Sequence, residues 1–234
     1  MNDSEEDTDQ EENDNIVNFR KPEQRETPPT SSSNEPMINL PPVTKYCLGL
    51  IIGLHIFVTL ILNDSIHDWI VLQFGFIPAR FTQDFFHSPL QGFTPFTHML
   101  LHGSWLHLAM NTVMLLAFGS GVEKWIGGKK MLLIFIISGL CGVGAHFIFN
   151  LNSISPVVGA SGGLSGLFAV AIIMLHRQNN ELVGRYGVWP IVILWVVISI
   201  VFGTMGSPDG NGIAWAAHIG GFLGGFAALK ILRI

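Results

Sequence analysis

Six apolar runs occupy most of this chain beyond its first forty residues, at 47–62, 105–121, 131–151, 161–175, 188–205 and 213–232. A helix needs about 17–25 predominantly apolar residues to cross a hydrocarbon core, so each run reads as a membrane span. Inside lipid, backbone groups must find partners within their own segment, and helices achieve that. The expected fold class is therefore all-α: a polytopic membrane protein built as a six-transmembrane-helix bundle.

Charge is distributed to match. Only 12% of the 234 residues are charged and mean hydropathy is +0.45, against about 25% charged residues in ordinary soluble domains. Eleven of the 17 acidic residues lie between Asp3 and Glu35, and the other six (Asp64, Asp68, Asp84, Glu123, Glu181, Asp209) are scattered. Residues 1–40 thus read as an acidic tail, too polar to offset its ordering entropy and expected to be disordered in the cytoplasm. Residues 41–234 read as the membrane domain. With both termini cytoplasmic, Lys45, Lys124, Lys129, Lys130, Arg177, Arg185, Lys230, Arg233 and the three basic residues of the tail fall inside, and only Arg80 falls outside. That bias fixes the expected orientation. A bacterial inner membrane fits it, without excluding an organelle. No basic patch suggests a nucleic-acid partner. Cys47 and Cys141 sit in apolar runs and are expected to be free, buried and inert.

Polar residues inside such runs are costly and point to function. At a rise of about 1.5 Å per residue, Asn111 and His218 each lie about 9 Å below the outer surface, and Ser161 lies about 24 Å above Arg177. Three runs therefore bring Asn111, Ser161 and His218 to a common depth in the outer half. The approach 152–160 turns from polar to apolar, as a loop dipping into a water-filled pit would.

Ser161 opens the fourth run, where free backbone N–H groups can hold a developing oxyanion. Gly159 and Gly162 would let the chain turn sharply and a carbonyl approach. The bland alternative is a helix-capping serine with packing glycines. Gly221 and Gly225 follow His218 at i+3 and i+7, so another helix can pack closely against its face; a buried imidazole there can serve as base for a serine or be merely structural. His107 and Asn111 share a helix face, as do His98 and His102. They suit an oxyanion site. The rival reading is zinc, but no HExxH is present and no carboxylate lies at that depth, so no metal is expected. His55, His146 and His176 read as incidental. Two intramembrane carboxylates for an aspartyl protease are lacking, and Asp209 is remote. A Ser–His pair remains.

His102, His107 and Asn111 followed by Gly121-Val122-Glu123, then Gly159-Ala160-Ser161-Gly162, then Ala217-His218 with Gly221 and Gly225, resemble the rhomboid intramembrane serine proteases over roughly residues 45–232. The resemblance implies Ser161 as nucleophile and His218 as general base. It implies an oxyanion hole of Asn111, His107 and the Ser161 backbone, with His102, Gly159, Gly162, Gly221 and Gly225 in support. It further implies a half-submerged first loop at 64–95, a cap over the site at 206–212, single-pass membrane-protein substrates and no cofactor. Two departures stand out. Ser165 replaces an aromatic that many members place four residues after the nucleophile, where it stacks on the histidine. The stretch 91–96 also lacks an arginine many members carry, so the first loop should be anchored differently. Two other functions compete. A non-proteolytic rhomboid-like protein that binds or escorts membrane helices would typically have lost the serine or the histidine. A small transporter with a histidine proton relay would show internal repeats, and none is visible.

Overall fold

The computed structural model describes residues 39–83, 88–178, 187–205 and 214–234. Residues 1–38 of the expected disordered tail, the expected cap at 206–212 and Asp209 fall outside these residues.

The described chain is all-helical. In order come α1 (Pro42–Ile56), α2 (Asp64–Phe74), α3 (Thr94–Thr97), α4 (Trp105–Met114), α5 (Ser120–Ile126), α6 (Gly128–Phe149), α7 (Ser161–Arg177), α8 (Trp189–Met205) and α9 (Trp215–Ile231). A π-helical turn, Phe57–Ile61, extends α1, and another, Leu115–Gly119, joins α4 to α5. Three continuous helices, Pro42–Ile61, Trp105–Ile126 and Gly128–Phe149, are long and apolar enough to cross a membrane. The helices α7, α8 and α9 have 17 residues each.

The first span begins five residues earlier than its apolar run, at Pro42 rather than at Cys47. A proline at the first helical position costs no hydrogen bond there. The exposed N–H groups above it are met by a distant carboxylate. Glu123, buried at the end of the second span, accepts from Val43 N (2.9 Å), Thr44 N (2.6 Å) and Thr44 Oγ1 (2.7 Å). An anion there also complements the helix dipole. Hydropathy alone could not reveal this, because it depends on a residue 80 positions away. The second span is longer than its run because α5 continues past it to Ile126, where Gly127 (φ +86°) ends the helix and reverses the chain into α6.

At the centre stands α7, whose residues Gly162 to Ile172 are all buried. Its neighbours α6 and α9 come unusually close because glycines face one another. A Cβ on Gly221 would lie 2.8 Å from the Gly162 carbonyl carbon, and one on Gly225 would lie 2.7 Å from the Gly166 Cα. A Cβ on Gly142 of α6 would lie 2.6 Å from the carbonyl oxygen of Ala217. Backbones in contact at this range explain why small residues recur on these faces. Gly162 therefore serves helix packing inside α7; the sharp turn expected of it falls on Gly159 alone, at φ +122°.

The cysteines correct their expectation in part. They are free, but Cys141 is exposed and Cys47 half-buried. An apolar run does not say how far a side chain is covered: Cys141 stands beside Gly224 of α9 and yet stays exposed.

The long segment after α1 is ordered locally. Asn63 caps α2 by accepting from Ile66 N at 3.0 Å. This helix buries none of its residues and exposes Ile66, Trp69 and Leu72. The segment is anchored without an arginine in 91–96. Instead the buried Arg80 guanidinium donates to the Leu72 carbonyl, Thr97 Oγ1 to Phe74 O at 2.7 Å, and Ser88 Oγ to Gln73 Oε1 at 2.8 Å.

Candidate active site

The chain entering α7 is held from the long segment between α1 and α4. Phe76 and Val157 exchange backbone hydrogen bonds of 3.0 and 2.8 Å, Ala79 N donates to Ser153 O at 3.0 Å, and Gly159 N donates to His98 O at 2.8 Å. The last contact sets the position of Gly159, whose left-handed backbone only glycine adopts cheaply. Two residues later Ser161 begins α7. It follows Ala160 at the N-cap, so its own N–H is among the first of the helix and has no carbonyl below it in that helix.

His218 lies in the first turn of α9. The facing glycines described above bring α9 onto α7, and His218 Nε2 stands 2.9 Å from Ser161 Oγ. For the hydroxyl to donate, Nε2 must be unprotonated and Nδ1 must carry the ring proton. Nδ1 is buried and has no hydrogen-bond partner among the described residues. No carboxylate among the described residues orients this ring.

Ser104 caps α4 by accepting from His107 N at 3.1 Å, which places His107 on the first turn. The His107 ring lies against Gly159: a Cβ there would come 2.6 Å from Cε1 and 2.7 Å from Nε2. One turn further along α4, Asn111 is buried to 1% exposure and donates from Nδ2 to His107 O at 2.9 Å. Its second Nδ2 hydrogen remains to be given, and its Oδ1 has no partner among the described residues.

His102 stands edge-on to His107 with ring centroids 5.3 Å apart, and His55 of α1 stands edge-on to His102 at 6.2 Å. Both His102 nitrogens are buried without a partner among the described residues. Burial, then the neighbouring His107 and His55, push the His102 imidazole down to about 3. Burial likewise pushes His98 down to about 4, although its Nδ1 lies 3.1 Å from Thr94 O. Both stay neutral at ordinary pH. His55, read from the sequence as incidental, is buried against Trp105 at 4.7 Å. Its place beside His102 comes from α1 packing on the start of α4, a contact no local pattern encodes.

Ser165 does not present a second reactive hydroxyl. Its Oγ donates to Ser161 O at 2.7 Å within α7, a common fate for a mid-helix serine. One residue near the site escaped the sequence reading altogether: Trp195 of α8, whose ring centroid lies 5.9 Å from that of His218. It stands in a run that is apolar but for Ser199 and Thr204, so nothing local marks it.

The chain has counterparts among known proteins. The family model described as the Rhomboid domain matches residues 89–234. This chain belongs to the rhomboid family. It is an integral membrane protein, and its family consists mostly of serine intramembrane proteases. Bacillus subtilis "Rhomboid protease GluP" is 34% identical over 138 residues, which cover 59% of this chain and 25% of that protein. From the same organism, "Putative rhomboid protease YdcA" is 32% identical over 131 residues, covering 56% of this chain and 62% of the relative. Mouse "Rhomboid-related protein 2" is 27% identical over 204 residues, covering 82% of this chain and 64% of the relative. The chain therefore spans less than two thirds of the length of each of these relatives.

Proposed function

We propose that this rhomboid family member is an intramembrane serine protease that cuts membrane proteins in or near their transmembrane segments, with Ser161 as nucleophile and His218 as general base. The observation that carries this reading is the 2.9 Å approach of His218 Nε2 to Ser161 Oγ, within the reach a nucleophile–base pair needs.

In the reaction, Ser161 Oγ attacks a substrate carbonyl carbon while its proton passes to His218 Nε2. The negative oxygen that forms is met by the Ser161 backbone N–H, the free Nδ2 hydrogen of Asn111 and the His107 ring, whose edge at Gly159 borders the same end of α7. The imidazolium then gives its proton to the leaving nitrogen as the carbon–nitrogen bond breaks, leaving an acyl group on Ser161. Water, deprotonated by His218, releases the acyl group and restores the hydroxyl. The chemistry asks for no metal or cofactor.

The surrounding architecture is read in the same terms. Residues 41–234 form the protease domain and 1–40 an acidic cytoplasmic tail. All six long helices cross the bilayer, since 17 residues extend about 26 Å and suffice for a thinned core. The positive charges place both termini in the cytoplasm, so the site opens to the opposite side of what would be a plasma membrane. The exposed apolar side chains of α2 lie in the outer interface. Substrates are single-pass membrane proteins whose helix unwinds at small or helix-breaking residues.

The test is cleavage of a panel of single-pass transmembrane reporters by the purified chain in liposomes. The wild type cuts at least one, and Ser161→Ala cuts none. Equal cleavage by both proteins, or reporters bound tightly but never cut by the wild type, would contradict the reading. The second outcome would favour a protein that escorts membrane helices.

A further inference from the structure

Trp195 has no assigned part in the dyad, yet it is the aromatic side chain set against the His218 ring. Its ring lies 5.9 Å from the imidazole, centroid to centroid, inclined by 33°. It is itself braced: Phe168 of α7 packs on it at 5.0 Å, and Phe168 in turn meets Phe118 at 4.9 Å and Phe222 at 5.9 Å. Among the described side chains of α8, Trp189, Ile193, Leu194 and Val197 are exposed, whereas Trp195 packs inward with Ile191 and Val192.

We propose that Trp195 is a positioning residue for His218, fixing the rotation of the imidazole; this rests on the reading of Ser161 and His218 as the catalytic pair. Three observations lead there. First, Nδ1 of His218 has no acceptor among the described residues, so no carboxylate among them holds the ring as one does in a triad. Second, the Ser165 hydroxyl is bonded to the Ser161 carbonyl and does not brace the imidazole. Third, a ring held by a single hydrogen bond is free to turn about its broad terminal torsion, and an aromatic face on one side removes that freedom. The same face also favours the imidazolium that forms as Ser161 attacks, because a cation near an indole ring is attracted by its quadrupole. The brace comes from α8, a different helix from the one that carries the nucleophile.

The test compares Trp195→Leu with Trp195→Phe in the full chain in liposomes. Two rates are read: phosphonylation of Ser161 by a small alkyl fluorophosphonate, and cleavage of a transmembrane reporter. The fluorophosphonate needs no helix to enter, so its rate reports the dyad alone. Loss of the ring contact is expected to slow labelling by about tenfold in Trp195→Leu. The Phe variant keeps a ring and is expected to stay within about threefold of wild type. Cleavage should lose kcat with KM unchanged. If the Leu variant melts well below wild type, Trp195→Met, closer in volume and ringless, takes its place. Labelling of a folded ringless variant at the wild-type rate overturns the proposal, even if reporter cleavage falls, because Trp195 would then act on substrate entry. Equal loss in the Phe and Leu variants overturns it as well. Labelling of Ser161→Ala as fast as wild type would instead sink the dyad itself, a distinguishable failure.

Discussion

Gly221→Ala is the smallest change that should separate Ser161 from His218, because it touches neither. The new Cβ would lie 2.8 Å from the Gly162 carbonyl carbon and 3.0 Å from its Cα. Carbon atoms rest at about 3.5–4.0 Å, and the obstructing atoms are backbone, so α9 must move from α7 by about 1 Å. The dyad distance of 2.9 Å then becomes about 4 Å, past hydrogen bonding. A misplacement of about 1 Å is worth about 100-fold in rate. Overpacking costs about 1–3 kcal/mol, of which a helical Gly→Ala change returns up to about 1 kcal/mol, so the protein should still fold. The assay is fluorophosphonate labelling beside a thermal melt, with Gly53→Ala as control, since a Cβ there meets nothing within 4 Å. Labelling within twofold of wild type and an unchanged melt for Gly221→Ala would refute the argument that glycine contact sets the dyad.

Other outcomes follow from the same geometry. Asn111→Ala should lower kcat by about 10²–10³-fold with little change in KM if its carboxamide meets the oxyanion, as measured on a transmembrane reporter. Gly159→Ala forces a side chain into a left-handed backbone at φ +122° and against the His107 ring; a strain of about 1–3 kcal/mol should lower the melting temperature, and labelling should fall with it. Glu123→Ala leaves two α1 N–H groups and the Thr44 hydroxyl without their acceptor, so the melt should fall by the equivalent of about 2–3 kcal/mol. His98 is held neutral down to about 4 by burial, against 6.5 in the unfolded chain. The unfolded state therefore takes a proton first, and stability is full above pH 6.5 and lost as pH falls towards 4. Melts across that window should show the loss, and His98→Gln should reduce it, leaving the share that the buried His102 contributes over the same range.

How far the sequence could be read depends on the range of the interactions involved. Runs of apolar residues found the long helices within a few positions, because spanning helices need little beyond hydropathy. The Gly221 and Gly225 spacing announced a close helix face, and the structure shows its partner to be Gly162 and Gly166. What stayed hidden were the distant contacts of single residues that no motif marks. Glu123 moves the start of α1 back to Pro42; Arg80 anchors the outer segment through the Leu72 carbonyl; His55 reaches His102; Trp195 reaches His218. None of these leaves a periodic trace, since each depends on how two elements pack. Cys141 makes the same point from the other side: an apolar run gives membership of a helix, not how far each side chain is covered.

The most direct test of the central claim is the site and yield of fluorophosphonate modification, read by intact mass and peptide mapping on the wild type and on His218→Gln. A single adduct on Ser161 is expected in the wild type and almost none in the variant. An adduct at any other residue, or undiminished modification of Ser161 without the imidazole, would contradict it.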